Sequence, residues 1–260
     1  MTHVTWLGHA GILLESQGSL LAVDPWRKGP TWSKTPLDGL DIIALTHGHF
    51  DHAEDAPAIA KETGAHVAGI FEVGQWLLRQ GVPESQVIGM NKGGTWSHAG
   101  WTLTMVPAMH SSGCPGGEHA IEAGGEAAGW IIRTPEGETI YHAGDTTVFG
   151  DMALIAKLYK PKLAFLPIGG HFTMGPVEAA ESVRLLKVKH VVPIHYGTYP
   201  TLSGSPADLR WRVGKTVRVH ALNPGERLDV TGLLGRAAKA DVKLKPKRRA
   251  AKGARRRSTD

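Results

Sequence analysis

Short apolar runs separated by turn residues fill the first third of the chain, a pattern that predicts β-strands. HVTWLGHAGILLES, SLLAVDP and DIIALTH are rich in aliphatic and β-branched residues, and the turn-like SQG follows the first of them. AEDAPAIAKETG then carries helix-favouring residues and ends on Gly64, before the strand-like HVAGI and the helix-like EVGQWLLRQG. This alternation of strands and helices predicts a layered α/β architecture.

The second half repeats this rhythm without repeating the sequence. WTLTMVPAMH predicts a strand that runs into His110, WIIRTPEGETIYHAGD a hairpin with PEG at its turn, and LAFLPIGG and HVVPIHYG further strands. Between the last two, GPVEAAESVRLLK predicts a helix that starts at Pro176. Its spacing predicts a buried face made of Val177, Ala180, Val183 and Leu186. We therefore predict one domain over residues 1–235, made of two similar β/α halves.

Charge divides the chain unevenly. Its formal net charge is +5, yet residues 236–260 hold eleven Lys/Arg against two Asp, so the preceding body is mildly acidic. This tail has almost no large apolar residues, and we predict that it is disordered. Its clustered cations allow binding of nucleic acid or another acidic partner, although no aromatic residues are interleaved for base stacking.

Other features of the sequence favour a cytoplasmic protein. No apolar run approaches the ~20 residues that a transmembrane helix needs, so we expect no membrane partner. The start, MTHVTWLGHAG, lacks the basic and apolar regions of a secretory signal. A single cysteine, Cys114, excludes an intrachain disulfide. Self-association into a homo-oligomer stays open.

One short segment, THGHFDH, concentrates residues that bind metal ions. It places His47, His49, Asp51 and His52 where a predicted strand passes into a loop and then a helix. Neutral imidazoles and carboxylates are good ligands for zinc, manganese and iron. A complete site needs further ligands at the ends of other strands, and His110, Asp145 and His195 each follow one. These seven positions predict a binuclear site.

The motifs around these residues resemble those of the metallo-β-lactamase superfamily. The likeness narrows to the metal-dependent hydrolases related to ascorbate-6-phosphate lactonase, on TWLGHAGILLE, GGTW, PAMHSSG, YHAGDT, LPIGGHFTMGPVEAA and PIHYGTYP. It covers roughly residues 2–230 and implies a four-layer αββα sandwich with two metals at one edge. It also implies the ligand sets: His47, His49 and His110 for the first ion, Asp51, His52 and His195 for the second, and Asp145 between them.

The expected activity is hydrolysis by a hydroxide that bridges the two ions. The bond is an ester, lactone or phosphoester in a small, anionic molecule, and Asp51 is the candidate catalytic residue that orients the hydroxide and takes up its proton. Zinc is the first expectation for the metal, with manganese and iron as alternatives. A nuclease or phosphodiesterase of the same superfamily, and a non-catalytic module stabilised by metal, are the alternative functions.

Several residues near the predicted edge are candidates for other roles. His9, His171 and Thr173 are candidate substrate contacts, and for His9 a structural role is an equal alternative. Tyr196 and Thr198 follow His195 closely, and their hydroxyls are candidate supports for a ligand. Cys114 has no visible activating base and is expected to be incidental. The glycine-rich segment 111–128 around it is expected to form a mobile loop over the site.

Overall fold

A computed structural model describes residues 1–118 and 120–235 of the chain. The strands are β1 (Thr2–Gly8), β2 (Gly11–Ser16), β3 (Ser19–Val23), β4 (Ile42–Ala44), β5 (His66–Ile70), β6 (Val87–Met90), β7 (Thr95–His98), β8 (Trp101–Pro107), β9 (Gly113–Pro115), β10 (Ile121–Ala123), β11 (Ala128–Arg133), β12 (Thr139–His142), β13 (Leu163–Pro167), β14 (His190–Ile194), β15 (Arg218–Val219) and β16 (Arg227–Asp229). The helices are α1 (Phe50–Ala53), α2 (Ala56–Thr63), α3 (Phe71–Arg79), α4 (Met152–Tyr159), α5 (Pro176–Leu186), α6 (Pro206–Val213) and α7 (Val230–Leu234).

Two seven-stranded sheets form the centre of the fold. The first has the order β16-β1-β2-β3-β4-β5-β6, and the second has the order β15-β14-β13-β12-β11-β8-β7. In each sheet a run of parallel strands, β3 to β6 or β12 to β15, continues a set of antiparallel ones. Only β16 breaks the division into halves, because it returns from the end of the described chain to pair with β1.

Alternating side chains place each sheet between two apolar layers. In β13, Leu163 and Phe165 join the core shared with the first sheet, whereas Ala164 and Leu166 join the core beneath the helices of the second half. Helices α2 and α3 pack on β5 in the first sheet, and α5 and α6 pack on β13 and β15 in the second. The predicted four-layer αββα sandwich is confirmed.

Two local predictions were wrong. The glycine-rich segment predicted as a loop contains a small antiparallel hairpin, β9 paired with β10. In α5 the predicted start at Pro176 is correct, but Val177 is 56% exposed and lies outside the buried face. That face consists of Ala179, Ser182, Val183 and Leu186. The apolar pattern did not include Ser182. This serine can be buried because its hydroxyl donates a hydrogen bond to the backbone carbonyl of Glu178.

The basic tail, residues 236–260, lies outside the described residues. The predicted domain boundary at residue 235 therefore stays a prediction. The expected cytoplasmic location is also untested and stays a prediction. In the part of the chain that the structure describes, none of the helices has the length and apolar character needed to cross a membrane.

Candidate metal centre

Six of the strands that end at one edge of the sandwich lead into polar residues of the site. Strands β1, β3 and β4 run in one direction within the first sheet, and β8, β12 and β14 share a direction within the second. The chain that leaves these six ends carries a polar residue within three positions. These residues are, in chain order, His9, Asp24, His47, His110, Asp145 and His195. The edge thus brings candidate ligands from both halves of the chain together, as predicted from their positions after strands.

Three histidines form a first group. The ligand atoms of His47, His49 and His110 lie within 4.8 Å of one another, and His47 is the most deeply buried of the three. His47 Nε2 lies 3.0 Å from His49 Nδ1, so these two nitrogens face each other. The other nitrogen of His49, Nε2, lies 3.4 Å from the hydroxyl of Ser111. This group is the set that the family resemblance implies for the first ion.

A second group forms beside it. Asp51, His52 and His195 lie within the same 4.8 Å limit, together with His9. Asp51 Oδ2 is 3.7 Å from His195 Nε2 and 3.9 Å from His52 Nε2. Helix α1 begins at Phe50, directly after the HGH segment, and this early turn brings Asp51 and His52 back toward the cluster.

Asp145 stands between the two groups. Its Oδ2 is 3.7 Å from His110 Nε2 of the first group. The same oxygen is 3.4 Å from His52 Nε2 and 3.1 Å from His195 Nε2 of the second group. The structure therefore brings all seven predicted ligands together, with one carboxylate oxygen beside members of both groups.

A buried carboxylate behind the cluster sets the proton positions of two histidines. Asp24 accepts hydrogen bonds from the backbone N–H and the hydroxyl of Thr46, at 2.9 and 2.7 Å, and from His52 Nδ1 at 2.8 Å. Because the Thr46 hydroxyl gives its one proton to Asp24, it accepts from His47 Nδ1, 3.0 Å away. Both His47 and His52 consequently turn Nε2 toward the cluster, which is the orientation a metal ligand needs.

His9 lies beside the second group, in the turn between β1 and β2, and its role as a substrate contact stays a prediction. Its imidazole is buried in the turn between β1 and β2, where Nε2 lies 3.0 Å from Asp51 Oδ2 and Nδ1 lies 2.8 Å from the hydroxyl of Thr198. Burial lowers the pKa of His9 to about 4, so the ring is neutral at pH 7. Since a carboxylate only accepts, Nε2–H donates to Asp51 and the Thr198 hydroxyl donates to Nδ1. His9 thus holds Asp51, while the candidate support Thr198 holds His9.

The charges of the cluster call for a cation at its centre. Burial opposes ionisation of Asp145, but the facing His195 and His52 hold the pKa of Asp145 well below its ordinary value. Burial likewise lowers the pKa of His195, yet Asp145 outweighs it and raises this pKa to about 9. Protons on buried histidines therefore balance the buried carboxylates. A bound metal ion supplies the same positive charge and displaces those protons.

Unpartnered atoms point to the same conclusion. In residues 1–118 and 120–235, seven buried side-chain nitrogen or oxygen atoms have no hydrogen-bond partner, and four of them belong to this cluster. They are His52 Nε2, Asp145 Oδ1 and both ring nitrogens of His195. Buried polar atoms are normally satisfied, so this concentration needs an explanation. Each group supplies at least three histidine or aspartate ligands, which is a set that Zn²⁺, Mn²⁺ or Fe²⁺ accepts. The residues present therefore fit a metal centre.

Strained backbone marks three of the six strand ends. His9, Asp24 and His195 each follow the last residue of a strand directly, and their φ angles are +50°, +45° and +52°. Residues other than glycine rarely adopt this conformation, which costs on the order of 1–3 kcal/mol each. Each strand thus turns sharply as it leaves its sheet, and all three side chains reach the cluster.

Close packing beneath the HGH segment explains its glycine and the nearby cysteine. A Cβ atom on Gly48 would lie 2.6 Å from Cys114 Sγ, a distance that no side chain tolerates. The thiol is buried, and burial raises the pKa of Cys114 to about 11. Cys114 is therefore a protonated packing residue rather than a nucleophile.

A cavity of about 800 Å³ opens above the cluster. Its floor contains His9, Asp51, His110, Asp145 and His195. The candidate substrate contacts His171 and Thr173 line a neighbouring cavity that also includes His110, and Phe172 between them lines both that cavity and the one above the cluster. Their role in substrate binding stays a prediction.

The sequence analysis missed two sets of residues at this site. Asp24 and Thr46 went unnoticed, although an aspartate directly after the apolar run LLAV was an available signal. The cavity walls, which include Phe50, Ile121 and Phe172, carry no sequence signal of their own.

Comparison with known proteins gives close relatives. A family model described as the beta-lactamase superfamily domain matches residues 18–196. A UPF0173 metal-dependent hydrolase of Myxococcus xanthus is 46% identical over 231 residues, which cover 86% of this chain and 82% of the relative. Another of Solibacter usitatus is 46% identical over 227 residues, which cover 86% of this chain and 97% of the relative.

Solved structures agree with this relationship. Igni18, a metallo hydrolase from the archaeon Ignicoccus hospitalis, is 34% identical, with a TM-score of 0.75 over 87% of this chain and 97% of Igni18. An isothiocyanate hydrolase from Delia radicum gut bacteria has a TM-score of 0.65 over 87% of this chain and 98% of its own. At 17% identity, that second likeness concerns the fold alone.

Proposed function

This chain belongs to the beta-lactamase superfamily and to its UPF0173 metal-dependent hydrolases, and on that premise we propose a binuclear hydrolase of ester, lactone or phosphoester bonds. The observation that carries the proposal is the position of Asp145 Oδ2, which lies 3.7 Å from His110 Nε2 and 3.1 Å from His195 Nε2. A carboxylate oxygen shared in this way suits a pair of ions better than one.

The seven clustered residues would hold the ions. The first site would use His47, His49 and His110, the second Asp51, His52 and His195, and Asp145 would serve both. Two divalent ions lower the pKa of bound water and stabilise negative charge on the attacked group. Zinc is our first expectation, although a set of histidines and carboxylates also suits manganese or iron.

Asp51 is the proposed proton acceptor. It lies on the floor of the cavity, where water and substrate would enter. The facing His52, His195 and His9 overcome the effect of burial and hold the pKa of Asp51 well below its ordinary value. The carboxylate is therefore ionised at neutral pH, and the hydrogen bond from His9 fixes its Oδ2. Such a group can orient an attacking water and take up its proton.

The nuclease alternative has less support. Recognition of a nucleic-acid backbone relies on lysine and arginine beside the phosphates. Among the described residues that line the cavity, none is lysine or arginine. Binding of nucleic acid, if it occurs, would then depend on the tail. Deleting residues 236–260 tests this, because a small-ester hydrolase keeps its turnover without the tail, whereas a tail-dependent nuclease loses it.

Metal analysis coupled to an activity panel tests the proposal. We expect about two divalent ions per chain in protein purified without added metal, and turnover of at least one ester, lactone or phosphodiester in a broad panel. A chelator should abolish turnover, and restoring the metal should recover it. Metal-loaded protein that hydrolyses no member of the panel would favour the non-catalytic module.

The Asp51→Ala variant tests the assigned proton acceptor. Turnover should fall by about 10²- to 10⁴-fold, the usual contribution of a positioned general base. The exposed Asp38 offers the control, since Asp38→Ala should retain full turnover. Near-normal turnover of a metal-loaded Asp51→Ala protein would remove Asp51 from the mechanism.

A further inference from the structure

We propose that the cavity above the cluster binds the apolar acyl or aryl part of a neutral carboxylic ester or lactone. The inference rests on the proposed hydrolase function and adds the substrate class to it. It replaces the expectation of an anionic substrate.

The floor and the walls of the cavity differ in chemistry. Histidine and aspartate side chains form the floor, so the reacting bond would lie there. The walls consist mainly of Phe50, Ile121, Phe172, Tyr199, Pro200 and Leu202. A site with a polar floor and apolar walls orients a molecule that has one reactive polar group and an apolar remainder. At about 800 Å³ the cavity has room for a group much larger than acetyl.

Three apolar side chains around the opening are exposed, and they come from three separate elements. Phe50 begins α1, Ile121 begins β10, and Phe172 lies in the loop between β13 and α5. Their exposed fractions are 51%, 82% and 58%. Scattered apolar residues on a surface are normal, but convergence of this kind around one cavity is typical of a ligand-binding site.

One wall has a rigid aromatic backing. Trp26 is nearly buried and donates its indole N–H to Glu54 over 2.6 Å. The Phe50 ring packs edge-on against it at a centroid distance of 5.7 Å, and the Tyr199 ring lies at 6.5 Å. Aromatic rings held in this way offer a large apolar surface at a low cost in side-chain entropy.

The described lining residues offer no cationic partner for a remote anionic group. They include no lysine or arginine, and the polar side chains outside the floor are hydroxyls such as those of Ser111 and Thr201. A phosphate or carboxylate far from the reacting bond would lose its hydration without gaining a cation. A neutral apolar group pays no such cost.

The reaction is an ordinary hydrolysis. The acyl C–O bond to the leaving oxygen breaks, and a new C–O bond forms to the oxygen of water. One proton of that water passes to the leaving oxygen, and the other passes through Asp51 to solvent. The products are an alcohol and a carboxylate.

A series of p-nitrophenyl esters tests the substrate class in the metal-loaded full chain. From acetate through butanoate and hexanoate to octanoate, we expect kcat/KM to rise about two- to fourfold per methylene until the cavity is filled. The monoester of succinic acid, which carries a carboxylate where butanoate ends in a methyl group, should react at least tenfold more slowly than butanoate.

Variants locate the effect at the cavity. Phe172→Ala and Ile121→Ser should each flatten the dependence on chain length, lowering the ratio of octanoate to acetate turnover several-fold. Phe71→Ala and Leu158→Ser are matched controls, because both side chains are similarly exposed and neither lines this cavity. The controls should keep the wild-type ratio.

Binding of a neutral fluorescent probe, N-phenyl-1-naphthylamine, provides a readout without turnover. The protein should bind it with or without metal, and Phe172→Ala should weaken binding at least threefold while Phe71→Ala leaves it unchanged. Probe binding in a protein that hydrolyses nothing would support the apolar cavity and overturn the proposed hydrolase.

Two other results would overturn the inference alone. One is turnover that favours the succinic monoester or p-nitrophenyl phosphate over butanoate. The other is a dimer that excludes the probe and dissociates in Phe172→Ala, since the apolar residues would then form a subunit contact.

Discussion

Two strands, β1 and β12, each connect one buried polar cluster to another, and the two clusters differ in how completely they are hydrogen-bonded. At their amino ends lies the closed cluster, formed by Thr2, Ser16, Thr134, Glu138 and Thr231. At their carboxyl ends lies the candidate metal centre, with His9 after β1 and Asp145 after β12. Both clusters contain buried carboxylates contacted by side chains distant in the sequence.

In the closed cluster both oxygens of the carboxylate accept hydrogen bonds. Glu138 Oε1 accepts from the Thr231 hydroxyl at 2.7 Å, and Oε2 accepts from the hydroxyls of Thr2 and Thr134. The Thr2 backbone N–H in turn donates to Thr231 Oγ1 at 2.7 Å. At the metal centre, by contrast, Asp145 Oδ1 and His52 Nε2 have no hydrogen-bond partner among the described residues. Burial alone therefore does not mark a functional site, whereas a concentration of buried polar atoms without hydrogen-bond partners points to one.

The largest effect is expected from Asp145→Ala, because it removes the oxygen beside both metal groups. Turnover should fall by about 10³-fold or more, the upper part of the range for loss of one group that stabilises the transition state. Elemental analysis should find fewer than two ions per chain. Glu138→Gln, at the other end of the same strand, should keep its full metal content. An Asp145→Ala protein with two ions and normal turnover would contradict the assignment.

A smaller effect is expected from Asp24→Asn. This variant keeps the side-chain volume, but its amide N–H₂ would face Thr46 and His52, which donate to Asp24 in the wild-type protein. Loss of the hydrogen bonds that orient His47 and His52 should lower metal affinity by about 10- to 100-fold, measured by competition with a chromogenic chelator. Asp41→Asn is the matched control, since Asp41 accepts from Ser19 Oγ and Leu20 N at the opposite edge of the sheet. Equal affinities in the two variants would show that Asp24 does not orient the ligands.

Glu138→Gln should change stability without changing the metal. An amide nitrogen cannot accept from the threonine hydroxyls, so we expect a loss of about 1–3 kcal/mol in the free energy of unfolding. For a chain of this size, Tm falls by roughly 2–4 °C for each kcal/mol. Thermal unfolding followed by circular dichroism would measure this. A normal Tm together with loss of metal would show that the closed cluster supports metal binding rather than stability, and would contradict the comparison drawn above.

The smallest effect is expected from Thr198→Val, which removes the hydroxyl that donates to His9 Nδ1. One neutral hydrogen bond is worth about 0.5–1.5 kcal/mol, so kcat should fall about three- to tenfold while metal content and Tm stay close to normal. Thr216→Val provides a surface control. A change in metal content instead of kcat would mean that His9 acts as a ligand rather than as a support for Asp51.

The clustering of the candidate ligands was predictable because metal chemistry restricts both the type and the position of such residues. Histidine and aspartate at the ends of several strands form a pattern that short-range reading detects, as for His47, Asp145 and His195. The layered fold was predictable for a similar reason, since the apolar periodicity of strands such as β13 is local. His110 and Asp145 lie three residues beyond the ends of their strands, which is close enough for the sequence pattern to reveal them.

The contacts of the residues around the candidate ligands were not predictable, because each contact joins segments that are distant in the sequence. His9 becomes a partner of Asp51 only when β1 lies beside the loop after β4. In the loop after β13, the sequence also did not reveal which side chain lines the cavity. There the φ of +58° at His171 turns the chain so that Phe172, and not the polar neighbours, lines the cavity above the cluster.

The pairing of β1 with β16 also has a consequence for synthesis of the protein on the ribosome. The first described strand, β1, completes its sheet only with one of the last described strands, and the hydrogen bond from Thr2 to Thr231 spans 229 positions. Contacts so distant in sequence form late in folding. Until Arg227–Asp229 emerges, one margin of β1 shows unpaired N–H and C=O groups, to which another chain can add a strand. A nascent chain that stalls before residue 227 is therefore exposed to aggregation, even though every predicted metal ligand has already been translated.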